Sequence, residues 1–455
     1  MRNILIILSI VAVNINTCMA QDYKFYALSN DINNDRPVYF CKLDKETGTI
    51  SIIDRYSGVY KGNYFALSNN NKHLLVTTKS KDDTKGGIVQ YNIDEDGSLT
   101  WEKEELTAGD LPCHVSFSPD MSYVMSANYA DDEISLYNFN NEALSPEIDN
   151  ISMADQSKGH YISTDPSGKF VHAVFLGLNR VYNYMIESGK YIKNPNQEYF
   201  SVSEGYGPRH MVFHPNNKAV FILNETQSSV TACNYDSTTG EIAEIHNISM
   251  IPDDFTGTTN AAAIRIHPSG KFLYASNRGH NSIAVYEISG NGSLSLVELE
   301  TSGINFPRDF NLSPDGLFLV AANQKGGTII SFFINQSTGE LEPTTKLQFI
   351  NQPLAIQFLP IVDKDTTNMS SFYDVSDPVN IYPNPANDIL TIDSGDQDGI
   401  CNVSVFNTSG QLVKRVSGEN IKTIQVSDLK YGNHILIANM KSGKTRQSIF
   451  TKKHH

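Results

Sequence analysis

Long apolar runs are almost missing from this 455-residue chain. The one near the start, Ile4–Val13, is too short to cross a bilayer, since a spanning helix needs roughly 20 apolar residues. It follows Arg2 and precedes Cys18-Met19-Ala20, a small-x-small site suited to signal peptidase, so residues 1–20 read as a signal peptide cleaved after Ala20. No transmembrane segment is expected after that cleavage. Cysteine is scarce as well: Cys41, Cys113, Cys233 and Cys401 remain, with no C-x-x-C spacing, which excludes a zinc finger, a redox pair and a disulfide scaffold. No His/Asp cluster has metal-ligand spacing, and no glycine-rich phosphate loop precedes a helix, so neither a metal nor a nucleotide cofactor is expected. Asp131-Asp132-Glu133 reads as a solvated turn. Positive charge is in deficit. The formal net charge is −15, and because residues 376–455 carry nine Lys/Arg against seven Asp/Glu, the body before them holds about −17. Such a surface repels phosphate backbones and anionic headgroups, which argues against nucleic acid or a membrane surface as partner.

What the chain has is repetition. YFALSNNNKHLLVTTK from Tyr64, HVSFSPDMSYVMSANY from His114, YISTDPSGKFVHAVFL from Tyr161 and HMVFHPNNKAVFILNE from His210 are versions of one phrase. AIRIHPSGKFLYASNR from Ala263, DFNLSPDGLFLVAANQ from Asp309 and the shortened AIQFLP from Ala355 continue it. Each full copy is an alternating apolar strand, a tight turn and a second alternating strand, which is a hairpin. The turn positions Asn69, Pro119, Pro166, Pro215, Pro268, Pro314 and Pro360 lie 46 to 53 residues apart. Two further strands fit into each spacer, and four-stranded units at that period are propeller blades. The apolar period of two excludes a helical solenoid. The seventh unit stops after one strand, and its missing strands are available at Lys24, Pro37 and Thr49, which closes the ring and removes the open edge. The fold class is therefore all-β: a seven-bladed β-propeller over 21–362, a linker over 363–375, and a small C-terminal β-sandwich over 376–455.

Counting from the turns brings distant residues into one register. Six positions before them stand Asn63, Cys113, His160, Arg209, Ala262, Arg308 and Leu354; ten positions after them stand Lys79, Tyr129, Leu176, Glu225, Arg278 and Gln324. In an antiparallel hairpin these two sets lie side by side, which places both at one mouth of the central channel. Charge is costly there unless it pairs or meets a ligand. A ring of His160, Arg209, Glu225, Arg278 and Arg308 suits a small oxygen-rich anion gripped by guanidinium forks. His114, His210 and Asp309 extend it, and Lys79, Gln324, Arg308, His210 and His114 are candidate substrate contacts. The bland alternatives are a structural Arg209–Glu225 bridge, a satisfied strand histidine at His160 and a local Arg308–Asp309 ion pair. His214 and His267, inside turns, read as structural.

The phrases GPRHMVFHPNNK, HPSGKFLYASNRGHNSIAVY and PRDFNLSPDGLFLVAANQ resemble the seven-bladed lactonase propellers, the family of 6-phosphogluconolactonase and carboxymuconate lactonising enzyme type. The resemblance spans about Asp22 to Leu359. It implies a catalytic set of a His, an Arg, a Glu sixteen residues later and a second Arg, which by motif fall on His160, Arg209, Glu225 and Arg278. GHYISTDPSGKF departs from the usual proline-histidine start of that blade, and Leu176 stands where a polar group is expected. Tyr382-Pro383-Asn384-Pro385-Ala386 resembles the start of the C-terminal sorting domain of type IX secretion in Bacteroidetes, which implies handling by the secretion machinery and a location outside the cell or on its surface. The combined expectation is a secreted lactonase acting on a sugar-acid or carboxylated lactone. A noncatalytic propeller binding a ligand or partner at the same mouth, or a lactone-forming cycloisomerase, are the alternatives.

Overall fold

The computed structural model describes residues 22–360 except 32, 34–36, 83 and 108, and residues 379–453 except 394–398, 408–411 and 442–444. The expected signal peptide and linker lie outside the described residues. Alternating sequence makes strands throughout, and those of residues 22–360 form seven separate antiparallel sheets. Blade 1 holds Phe65–Leu67, His73–Lys79, Gly86–Ile93 and Leu99–Leu106. Blades 2 to 6 follow in the same order over 112–152, 159–201, 208–249, 260–300 and 307–349. Blade 7 is shared between the two ends of the repeat: Pro353–Phe358 pairs with Tyr23–Ser29, followed by Val38–Leu43 and Ile50–Tyr56, with Ala27 opposite Ile356. The closure expected from the truncated seventh copy is thus made by a six-residue strand.

The cores lie between neighbouring sheets. Tyr274 and Val285 of blade 5 pack with Phe310, Leu319 and Phe332 of blade 6. Phe318 and Val320 of blade 6 pack in turn with Phe25, Tyr39 and Phe358 of blade 7. Turn histidines add polar bolts. His214 Nδ1 accepts from Asn216 N–H, so Nε2 carries the proton and donates to Gly270 O of the next blade at 2.9 Å. His267 repeats this with Ser269 N–H and Gly316 O at 3.0 Å. Gly316 sits at φ +74°, and a Cβ there would lie 2.4 Å from His267 Nε2, so the position needs glycine on both counts.

The C-terminal unit is a small sandwich. One sheet holds Asn380–Tyr382, Ile389–Asp393 and Thr423–Gln425; the other holds Leu412–Ser417, Ile400–Asn407, Gly432–Met440 and Thr445–Lys452. Leu390, Val403, Val405, Ile424, Leu436 and Phe450 fill the space between them.

Asp131-Asp132-Glu133 is a solvated turn only at Asp131, which is exposed. Asp132 and Glu133 are buried. Asp132 accepts from the Gln156 and Lys158 amides, and Glu133 from Asn128, Ser135 and Ser152. Asp132 thus satisfies backbone donors of the following loop while Glu133 gathers side-chain donors of its own blade, roles that composition alone does not reveal.

Candidate active site

The site is built on β-bulges. In the innermost strand of blade 4, Pro208 pairs with Asn224 and His210 with Leu223, so Arg209 is skipped. Cys113, His160 and Arg308 are skipped in the same way in blades 2, 3 and 6, and Leu354 in blade 7. A bulge inserts one unpaired residue and re-aims its side chain. Two consecutive residues per blade can then face the channel instead of alternating. Arg209 with His210, and Arg308 with Asp309, line a common cavity together with Asn63, Tyr64, Cys113 and Leu354. Its free volume is about 10 Å³, the room of one water.

One tier holds Glu225 and three arginines. Glu225 lies between two guanidiniums: Oε2 is 2.9 Å from Arg209 Nε, and Oε1 is 2.9 Å from Arg278 Nη2 of the next blade. Arg278 also donates to Ala261 O at 3.0 Å, and Arg209 Nη1 donates to Ala262 O. Arg209 Nη1 lies 3.2 Å from His210 Nε2, which must therefore be the unprotonated ring nitrogen. Arg308 Nη2 donates to Asn63 Oδ1 at 2.8 Å. Burial first, and then the neighbouring Arg209 and Arg278, press the Arg308 guanidinium below its ordinary range. Guanidinium remains protonated in proteins all the same. Three arginines against one carboxylate leave two positive charges in excess.

His160 belongs to this tier. Its ring lies 5.6 Å from Tyr129 and 5.4 Å from His210. The side chain is buried and Nδ1 has no hydrogen-bond partner. Burial and the arginine charges push its pKa well below the usual imidazole value, so the ring is neutral at pH 7.

A second tier holds Arg265, Asp309, Tyr64 and His114. Arg265 pairs with Asp309 at 3.1 Å and donates to Tyr64 Oη at 3.2 Å, while Asp309 Oδ2 accepts from Ile356 N–H. His114 is packed between the Tyr64 and Tyr161 rings and accepts from Ile162 N–H at Nδ1; burial and the charges of Arg265 and Arg209 lower its pKa to about 3.

The register argument therefore brings His160, Arg209, Glu225, Arg278, Arg308, His210 and His114 into one cluster. Lys79 pairs instead with Asp110 at 3.1 Å. The Gln324 backbone N–H donates to Phe306 O at 3.0 Å. Leu176 begins a single 3-10 turn, Leu176–Leu178. Arg308 and Asp309 do not pair with each other: the bulge turns them to different partners, Asn63 and Arg265. Counting missed Tyr64, Tyr161 and Arg265. The first two sit five positions before their turns, and Arg265 three before its own, so the same count carried further along the strand would have reached them.

The pore of this seven-bladed propeller thus gathers Arg209, Arg278 and Arg308 around Glu225, with His160 beside them and the Arg265–Asp309 pair close by. Residues 24–358 match the family described as lactonase, 7-bladed beta-propeller, and residues 380–452 match the secretion system C-terminal sorting domain. The chain belongs to the lactonase propeller family and carries a secretion sorting domain behind it. Over 334 residues it is 33% identical to a 6-phosphogluconolactonase of Bacillus subtilis, covering 71% of this chain and 94% of that one. Among solved structures, a protein from Lactobacillus plantarum superposes with a TM-score of 0.70 at 26% identity, covering 74% of this chain and all of the other. A periplasmic gluconolactonase of Pseudomonas aeruginosa gives 0.71 at 20% identity, covering 75% and 100%, a likeness of fold.

Proposed function

We propose that the protein is an exported lactonase that hydrolyses an anionic sugar-acid lactone at the pore mouth. The observation that carries this reading is the buried, neutral His160 set in one tier with three arginines that share a single carboxylate, Glu225. A 10 Å³ cavity does not admit a sugar ring, so the lactone rests above the tier, on the side where Glu225 is the most exposed of the paired side chains. Arg209 and Arg278 receive the carbonyl oxygen as it becomes an oxyanion, a contribution on the order of 3 kcal/mol for one donor. The His160 imidazole takes a proton from water as the water oxygen bonds to the carbonyl carbon. The ring C–O bond then breaks, and the same proton is delivered to the departing alkoxide. Glu225 uses both oxygens to hold the guanidiniums apart, so the base is assigned to His160 and the positioning of the arginines to Glu225.

Export follows from the sorting domain and from the leader read over residues 1–20. Type IX secretion would deliver the propeller to the surface or the medium, and a lactone that meets the excess guanidinium charge there carries its own anionic group, a phosphate or a second carboxylate. The test is pH-stat titration of the purified mature chain against aldonolactones, phosphorylated and not, beside His160→Asn and Arg209→Ala. Acid release that both variants leave unchanged overturns the reading, and binding without turnover in the wild type converts it to a ligand-binding propeller.

A further inference from the structure

Eight positions before each turn the backbone enters the left-handed region in six of the seven blades: Lys61, Leu111, Lys158, Gly207, Phe306 and Gln352 have φ between 45° and 62°. The propeller demands this conformation where each blade begins, but it does not demand a particular side chain. A bulky aromatic residue is the least suited to it. Phe306, at φ +59°, is held there by Asn281 Oδ1, which accepts from its N–H at 2.9 Å, and by the Gln324 N–H, which donates to its carbonyl at 3.0 Å. Its ring centroid lies 5.7 Å from the Arg278 guanidinium carbon and 3.9 Å from the Lys325 ammonium. The ring is partly exposed and Lys325 is exposed, with no ion pair among the described residues.

We infer that Phe306 is a specificity-determining residue: an aromatic wall at the pore mouth against which the carbon skeleton of the substrate packs while the arginines hold its anionic group. This rests on the proposed lactonase reading and narrows it to an anion that carries a C–H-rich ring or chain, as opposed to a bare inorganic anion. The strained backbone is common to the blades, so the fold explains the φ and leaves the aromatic side chain unexplained. Its place beside Arg278, one of the two guanidiniums that grip Glu225, supplies the explanation. Lys325 covers the ring and yields it to the ligand, a cation giving way to C–H groups on the same π-face.

The test is calorimetric binding of 6-phosphogluconate and of inorganic phosphate to the full mature chain, as wild type, Phe306→Leu, Phe306→Tyr and Arg209→Ala. Leucine already occupies the matching left-handed position at Leu111, so Phe306→Leu keeps a side chain that the fold accepts and removes the aromatic face. The expected result is about tenfold weaker binding of 6-phosphogluconate in Phe306→Leu with phosphate unchanged, wild-type binding of both in Phe306→Tyr, and a higher KM with unchanged kcat wherever a lactone is turned over. Equal losses of both ligands in Phe306→Leu, or no loss of either, overturn the inference. Unchanged binding of both ligands in Arg209→Ala overturns the anion site while leaving the Phe306 comparison to be read on its own, and absence of any binding by the wild type overturns both.

Discussion

Arg308 reaches across blade 7 to donate a hydrogen bond to Asn63 Oδ1 at 2.8 Å, a neutral partner for a partly buried guanidinium. No carboxylate lies within ion-pair distance of it among the described residues. Its opposite number in blade 7, Leu354, is apolar and offers nothing. A partly buried cation without a counter-ion costs stability that an incoming anion can return.

Replacing Arg308 by Met should therefore separate binding from stability. We expect the thermal midpoint to stay level or rise, because the uncompensated charge is gone. Affinity for phosphate or a sugar acid should fall by about tenfold to a hundredfold, the loss of one charge-assisted hydrogen bond worth about 1.5–3 kcal/mol. Calorimetry and a thermal melt on the same preparations check both halves, and a variant that is destabilised while binding normally refutes the assignment.

Glu225 has the opposite character. It bridges Arg209 and Arg278 at 2.9 Å each, and Glu225→Gln leaves two guanidiniums facing one neutral amide. Breaking a fully buried pair costs about 3–5 kcal/mol; Glu225 retains some exposure, so about 1–3 kcal/mol is expected after solvent screening. Lactone hydrolysis should drop with it as the arginines move apart. Urea denaturation gives the first number and pH-stat rates the second.

The propeller, its closing strand and the Arg209–Glu225–Arg278 register were legible because they depend only on turn spacing, which repeats. The bulges were not, because strict alternation predicts that His210 and Arg209 face opposite ways, whereas one skipped residue turns both to the pore. The same skip is why Arg308 and Asp309, adjacent in sequence, choose partners in different blades. Tyr64 and Arg265 were overlooked for a related reason: an isolated tyrosine or arginine in an alternating strand looks like an ordinary edge residue until the ring brings them within 3.2 Å across 201 positions. Phe306 was invisible because its identity departs from what its backbone conformation favours, and the conformation itself is not written in the sequence.

Acid should weaken the propeller before its carboxylates titrate. Burial holds His114 at about pKa 3 and His172 at about 4, and His160 and His210 well below the ordinary 6.5. For each, the native state stays neutral while the unfolded chain binds a proton below pH 6.5. Stability is fully present above that value and is lost as pH falls toward the folded pKa, by about 1.4 kcal/mol per pH unit for each histidine. Denaturant unfolding at pH 7.5 and 5.5 should show a clear fall in midpoint. His172 lies apart from the pore, so its replacement by Gln should reduce that fall without touching lactone turnover. A midpoint independent of pH over this range would contradict the neutral histidine cluster.

The closing strand gives the sharpest contrast between two truncations. Leu354, Ile356 and Phe358 are each at least 96% buried, and burying three such side chains is worth about 5–9 kcal/mol. That is comparable to the whole stability of a typical domain, about 5–15 kcal/mol. Ending the chain after Gln352 also strips the hydrogen-bond partner from Tyr23–Ser29 and opens a sheet edge toward the pore. This chain should fail to fold and should aggregate. Ending it after residue 361 retains every strand of the seven blades, which belong to the compact unit over residues 22–361. The longer chain should elute as a compact species on size exclusion, melt cooperatively and keep the turnover of the mature protein. Equal behaviour of the two truncations would mean that the ring does not depend on its last strand, and the shared blade would lose its place as the lock of the fold.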